Sequence, residues 1–282
     1  MDKIIETKDK QNEQNIDTNI IQQFTALNNE LLDTKRQLIK SNLELQKLNQ
    51  LKNQFINIAS HDLRSPLGAI RYFSQTLAEE LNGIIKPEDI ALLQIVTEQS
   101  NYMLKLIENL LNYTKIEDHD IKFDFCDTDL NDLVENNVKM NSLIANQKNI
   151  KIAFEPWDGT LIVHIDKDYF QLVLNNLLSN AIKFSHLNTT IVVRTWLASN
   201  SVNISIHDQG MGILPDDLNR IFEPYNKGKN KPTGKESSTG LGLSIVKGII
   251  ERHNGNITVE STPEAGSKFT ISLPAHRISI QN

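Results

Sequence analysis

The sequence predicts a multidomain α and α/β chain: a long coiled-coil helix running into a dimeric four-helix bundle, then an α/β sandwich. Three observations predict it. Phe24, Leu27, Leu31, Leu38, Leu45, Leu48 and Phe55 follow one heptad track, with no proline before Pro66 and no glycine before Gly68. A second broad apolar helical pattern follows the turn signals Asn82-Gly83 and Lys86-Pro87. From Ile121 onward the period shortens to that of strands interspersed with helices.

The 282 residues suffice for two domains, and a hydrophobic share of 39% with 23% charged residues suits at least one real core. A formal net charge of -6 argues against nucleic acid or an anionic membrane surface as partner. The single cysteine, Cys126, excludes an intramolecular disulfide and fits a reducing compartment, so a cytoplasmic location is expected. No apolar run approaches the roughly 18 residues of a membrane span, and no membrane insertion by this chain is expected.

Residues 1–19 are polar and aperiodic, and are expected to be disordered. Residues 20–54 form the coiled-coil helix, whose apolar stripe a single helix cannot bury; a parallel dimer satisfies it. Residues 55–117 form a helical hairpin, its second arm carrying Ile90, Leu93, Val96, Met103, Leu104, Ile107, Leu110 and Leu111. Two such hairpins make a four-helix bundle. Residues 118–127 read as a linker and first strand, 128–275 as the α/β domain, and 276–282 as a tail. Strand patterns fall at Ile121–Cys126, Ile150–Phe154, Leu161–Ile165, Thr190–Leu197, Val202–His207, Asn256–Glu260 and Lys268–Leu273. Helical patterns fall at Leu130–Ala145, Tyr169–Phe184 and Leu241–His253, which together indicate helices on one face of a mixed sheet.

Within the hairpin, His61 projects from the side of its helix opposite Phe55, Ile56, Ala59, Leu63, Leu67 and Ile70. A lone exposed histidine is commonly surface decoration, but an imidazole beside a carboxylate, here Asp62, can also act as a nucleophile. The α/β half supplies candidate chemistry for it. Asn176, Asn180 and Lys183 recur at i, i+4 and i+7, placing two carboxamides and a cation on one helix face, suitable for Mg²⁺ and phosphate. Asp208-Gln209-Gly210-Met211-Gly212-Ile213 combines an acceptor carboxylate with glycines that permit close approach of a planar ligand. Ser237-Ser238-Thr239-Gly240-Leu241-Gly242-Leu243 opens a helix with amide donors suited to phosphate oxygens. The cationic stretch Asn226–Lys235 between them reads as a lid over a triphosphate.

This ordered set resembles the sensor histidine kinases of two-component signalling over residues 20–275. Phe55–Leu67 is similar to the family's H box, Gln171–Phe184 to its N box and Asp208–Ile213 to its first glycine box. Ile221-Phe222-Glu223-Pro224-Tyr225 is similar to the F box, and Thr239–Leu243 to the second glycine box. The resemblance implies a HisKA-type dimerisation and phosphoacceptor hairpin, followed by an ATP-binding catalytic domain of the gyrase/chaperone/mismatch-repair superfamily. It assigns His61 as phosphoacceptor, Asp62 as the acid that orients its ring, Asn176 as Mg²⁺ ligand, and Asn180 and Lys183 as phosphate neighbours. Asp208, Gly210 and Gly212 would hold adenine. Phe222 and Tyr225 would anchor the lid, and Thr239, Gly240, Leu241 and Gly242 would close over the phosphates.

Four positions depart from the family pattern. Tyr225 replaces a frequent phenylalanine, Lys227 an arginine aimed at the γ-phosphate, and Ser238 the first glycine of the second glycine box. Ser65 stands where threonine or asparagine often positions a water for dephosphorylating the partner, which leaves a phosphatase activity open. The cofactors implied are ATP and Mg²⁺, and the partners are a second copy of the chain and the receiver domain of a separate response regulator. Input would come from an upstream sensor protein or a sensor segment outside this sequence. A hydrolytic ATPase of the same superfamily is the main competing reading, but its members place a glutamate where this chain has Asn176, which cannot deprotonate water. A degenerate kinase acting as a dimeric scaffold is the other, and Ser238 is its best support.

Overall fold

The computed structural model describes residues 2–117, 122–198, 200–226, 228, 233 and 239–275. It divides into two compact units, Met1–Ile58 and Ala59–Asn282. Helix α1 spans Asp2–Glu80 and makes up the described part of the first unit. Residues 2–19, expected to be disordered, are thus helical. They contain no glycine or proline, and lysine, glutamate and glutamine are good helix formers that need no apolar periodicity to extend a helix already nucleated downstream. The heptad residues Phe24, Leu27, Leu31, Leu38, Leu45 and Leu48 are all 60–70% exposed in the single chain.

In the second unit, the end of α1 and helix α2 (Pro87–Glu117) form the two arms expected of the hairpin. Buried positions recur every seven residues. Ser60 and Ser74, with half-buried Leu67, mark α1; Ser100, Ile107 and Thr114 mark α2. Two helices packed along a small-residue seam produce this pattern. In the single chain, Leu63 and Ile70 of the apolar face expected in α1 stay about half exposed, as do Phe73, Leu92, Ile95 and Met103. Leu67 and Ile107 are expected apolar positions that the seam includes, and serine and threonine fill the rest of it.

Residues 118–121 and 276–282, which contain most of the expected linker and all of the tail, lie outside the described residues. Strand β1 (Phe125–Asp129) pairs antiparallel with β3 (Ile162–Asp166) as a separate two-stranded sheet, where the sequence suggested one mixed sheet. The main sheet takes the order β2 (Lys151–Glu155), β4 (Thr190–Ala198), β5 (Ser201–His207), β7 (Gly266–Pro274), β6 (Asn256–Thr262). Among the described residues, the β2–β4 pair of this sheet is parallel and its other pairs are antiparallel.

Alternate residues Ile191, Val193, Ile204, Ile206, Ile271 and Leu273 are buried, as a sheet covered on one face requires. Helices α3 (Leu130–Ala145), α4 (Lys167–Phe184) and α6 (Gly242–Arg252) join these strands in one core, with Phe170 of α4 fully buried. The turn of helix α5 (Pro215–Leu218) precedes the stretch expected to be a lid, most of which lies outside the described residues.

The start of α4 is fixed by Asp166, whose Oδ1 accepts from the backbone of Asp168 and Tyr169 at 3.1 Å each, while Oδ2 accepts from Asp124 at 2.8 Å. One carboxylate therefore aims α4 and holds the linker strand. Its own backbone N–H donates to His253 Nε2 at 3.0 Å, and His253 Nδ1 lies 2.7 Å from the Ile249 carbonyl. Burial lowers the pKa of this imidazole, which keeps it neutral and able to accept.

Candidate functional site

A cleft of about 490 Å³ opens where α4, the end of β5 and the start of α6 converge. It brings together eight of the residues singled out in the sequence: Asn176, Asn180, Lys183, Asp208, Gly212, Thr239, Gly240 and Gly242. The spacing on α4 explains the first three, because Phe170, Val173, Leu174, Leu177, Leu178, Ala181 and Ile182 occupy the core side and leave these polar residues facing the cleft.

The carboxamide of Asn176 is oriented by its Nδ2, which donates to the Leu172 carbonyl at 2.8 Å. Its Oδ1 is turned toward α6, where a Cβ on Gly242 would meet it at 2.8 Å. A carbonyl oxygen so held is a suitable hard ligand. A side chain at Gly242 would displace that oxygen.

Asp208 sits at the opposite wall. Its buried Oδ1 accepts from Gly210 N at 3.0 Å and Ser267 N at 3.2 Å, which leaves Oδ2 for a donor in the cleft. Burial raises its pKa to about 6, against the lowering effect of those two backbone donors. The loop after it passes close to neighbouring backbone: a Cβ on Gly210 would lie 2.3 Å from the Phe184 carbonyl oxygen, and one on Gly212 (φ +65°) 2.1 Å from that of Thr262. Gly210 thus supports the site from behind, and does not line it.

Three other expected contributors stand outside the cleft. Phe222 packs against the core, with Lys247 Nζ 6.0 Å from its ring. Tyr225 is 61% exposed, in a left-handed conformation (φ +62°). Leu241 is a core side chain, so it can serve a ligand only through its backbone. Lys227 and Ser238 lie outside the described residues. At the lid's middle, the Thr233 hydroxyl is 2.9 and 2.8 Å from the carbonyls of Lys183 and Ser185, and Lys148 Nζ donates to it at 3.3 Å.

Sequence reasoning missed cleft residues on several elements, among them Ser267 of β7, Asn141 of α3 and three residues of α2. Asn141 of α3 donates to Asn175 Oδ1 at 3.0 Å. A signal existed, since Asn137 and Asn141 interrupt the apolar stripe of an amphipathic helix. Tyr102, Lys105 and Asn109 of α2 also line the cleft, and nothing in their local pattern marks them.

His61 is elsewhere on the second unit, and neither it nor Asp62 nor Ser65 lines the cleft. Its side chain is 82% exposed and Nδ1 lies 3.2 Å from Asp62 Oδ1. With Nδ1–H donating to the carboxylate, the lone pair is on Nε2, facing solvent. Ser65 is exposed one helical turn further on. Pro66 has no N–H for the Asp62 carbonyl, which loosens the helix beside this pair.

Two family models match the chain. Residues 51–119 match the His Kinase A (phospho-acceptor) domain, and residues 165–277 match the histidine kinase-, DNA gyrase B-, and HSP90-like ATPase. The chain belongs to the sensor histidine kinases. It is 30% identical to the sensor protein KdpD of Clostridium acetobutylicum over 92% of its own length and 28% of that protein's. With the sensor histidine kinase YclK of Bacillus subtilis it shares 32% identity over 85% of its length and 50% of the relative's. It therefore spans between about a quarter and a half of these curated relatives.

Among solved structures, full-length ShkA in complex with AMPPNP matches with a TM-score of 0.65 at 22% identity, covering 78% of this chain and 45% of that one. The Acinetobacter baumannii histidine kinase AdeS matches with 0.55 at 24%, covering 77% and 98%. Both likenesses concern the fold. The matched catalytic domain supports ATP use, and the phospho-acceptor domain implies dimerisation. Among the described residues, no helix is long and apolar enough to cross a membrane.

The raised pKa of Asp208 predicts a pH dependence. Because Oδ1 is engaged by two backbone donors, protonation as pH falls through about 6 falls on Oδ2 and puts a hydroxyl where an amine would donate. ADP affinity, measured by titration calorimetry, should be about tenfold weaker at pH 5 than at pH 7. The steep part of that dependence should be missing in Asp208→Asn, and an unchanged profile in that variant would assign the titration to another group.

Proposed function

We propose that the chain binds ATP with Mg²⁺ in this cleft, transfers the γ-phosphoryl group to His61, and relays it to an aspartate on the receiver domain of a separate response regulator. The observation that carries the reading is the His61–Asp62 pair. The carboxylate holds the proton on Nδ1, so a solvent-facing Nε2 is ready to attack without deprotonation.

Asp208 Oδ2 would accept from the adenine amino group, which directs the phosphates along α4 toward Lys183 and Asn180. The Asn176 carbonyl would help hold Mg²⁺, and the ion would neutralise charge on the transferring and leaving oxygens. His61 Nε2 forms the N–P bond as the bond from the γ-phosphorus to the bridging oxygen breaks, and ADP departs. The Nδ1 proton stays on the ring, where Asp62 offsets the positive charge. The phosphoramidate is then attacked by a receiver carboxylate, and the N–P bond breaks. Asn176 in place of a general base favours this transfer over hydrolysis.

Because His61 is outside the cleft, transfer requires the catalytic domain to carry the nucleotide to it. A homodimer supports both sources of His61, the same chain or its partner. The exposed heptad residues of α1, with Leu63, Ile70, Phe73, Leu92 and Ile95, provide the apolar surface for the second copy.

Incubation with γ-labelled ATP and Mg²⁺ should label the protein in an acid-labile, alkali-stable form that disappears in His61→Gln. Steady phosphate release without protein labelling would favour the hydrolytic ATPase. Ser65, exposed one turn from His61, would orient a water toward a phosphorylated regulator. Ser65→Ala should leave autophosphorylation within twofold of wild type while slowing regulator dephosphorylation about tenfold or more. Equal rates of dephosphorylation in the two proteins would remove Ser65 from that role.

A further inference from the structure

One side of α2 forms a wall of the cleft. Asn101, Tyr102, Lys105 and Asn109 fall within an arc of about 100° on the helix, and all four line the cleft. The helix is held there at two points. Ile116 is seated on α6: a Cβ on Gly248 would come within 2.4 Å of its Cγ2, and its carbonyl accepts from Arg252 Nη2 at 2.7 Å. Two turns earlier, the buried Asn109 donates from Nδ2 to Thr239 Oγ1 at 3.3 Å. Thr239 Oγ1 also accepts from Leu241 N at 3.2 Å, at the entrance to α6.

Asn109 thereby marks where along α2 the glycine-bearing turn before α6 lies. Thr239, Gly240 and Gly242 of that turn line the cleft with it. Lys105 is one turn earlier on the same side, a rise of about 6 Å along the axis, which a lysine side chain spans. It is exposed, so its ammonium can turn to a ligand.

The charge of the cleft gives that reach a purpose. Among the described residues that line it, the cations are Lys105 and Lys183, and the carboxylates are Asp208 and Asp217. Lys183 is buried near the end of α4, its Nζ 5.6 Å from the centroid of the Phe184 ring. With both carboxylates ionised, these four groups sum to no net charge, although a nucleoside polyphosphate brings several negative charges. Lys105 places a second cation on the α2 wall, beside the turn that opens α6.

We propose that Lys105 is a phosphate-binding residue of the cleft, by which the second helix of the hairpin supplies a cation to a nucleotide held by the α/β domain. This rests on the nucleotide reading given above. His61 is outside the cleft while α2 is docked, so the contact belongs to the arrangement that holds nucleotide before or after transfer. The coupling is reciprocal: a polyphosphate in the cleft strengthens the docking of α2 by the same factor by which Lys105 strengthens nucleotide binding.

The test is titration of the full chain with ADP at low and high salt. Lys105→Gln should weaken binding about fivefold and Lys105→Glu about twentyfold or more, while Lys105→Arg stays within twofold of wild type. The gap between the Gln and Glu variants should narrow at 1 M salt. Lys115→Glu makes the same charge change on the same helix, outside the cleft, and should shift affinity less than twofold. Wild-type affinity in Lys105→Glu, equal losses in the Gln and Glu variants, or an equal loss in Lys115→Glu would each overturn the proposal. A wild-type chain that binds no ADP would instead overturn the nucleotide reading on which it rests.

Discussion

Residues 208–212 cross the end of α4 with backbone nearly touching backbone, and the geometry of the cleft depends on that crossing. Met211 N donates to the Phe184 carbonyl at 3.2 Å, Ser185 and Gly210 form an isolated bridge, and no side chain fits at Gly210. The crossing sets the acceptor carboxylate of Asp208 opposite a helix face carrying Asn176, Asn180 and Lys183. A wider separation would leave a carboxylate and a polar helix face with no common ligand. Asp166 has the corresponding role at the other end of α4, where its carboxylate fixes the direction in which the helix leaves β3.

The two halves of the chemistry are built differently. In the cleft, the side chains of Asn176 and Asp208 are each fixed by backbone partners. His61 is exposed on a long helix, oriented by one neighbouring carboxylate and next to a proline that loosens the ladder. Rigid placement suits recognition of a nucleotide. An exposed nucleophile suits a group that must meet first the nucleotide and then a second protein.

Much of this was legible in the sequence. The i, i+4, i+7 polar spacing of α4, the glycine-bearing turns and the exposed placement of His61 followed from periodicity and residue chemistry. Their convergence needed the resemblance to a family, because local patterns do not say which turns meet. What sequence could not give has physical reasons. The buried seam of the hairpin runs through Ser60, Ser74, Ser100 and Thr114, and small polar residues carry no hydrophobic signal. The helix at residues 2–19 is of a composition that disorder shares. Asn109 and Tyr113 meet Thr239 and Tyr225, more than a hundred residues away in the chain, and no spacing rule reaches that far.

The central claim is that Asp62 fixes the proton on Nδ1 of His61 and leaves Nε2 as the nucleophile. Nitrogen-15 NMR of the histidine-labelled, phosphorylated chain tests it most directly. The phosphoryl group should be on Nε2 of His61, with Nδ1 still protonated. Phosphate on Nδ1, or on any other histidine, would contradict the account.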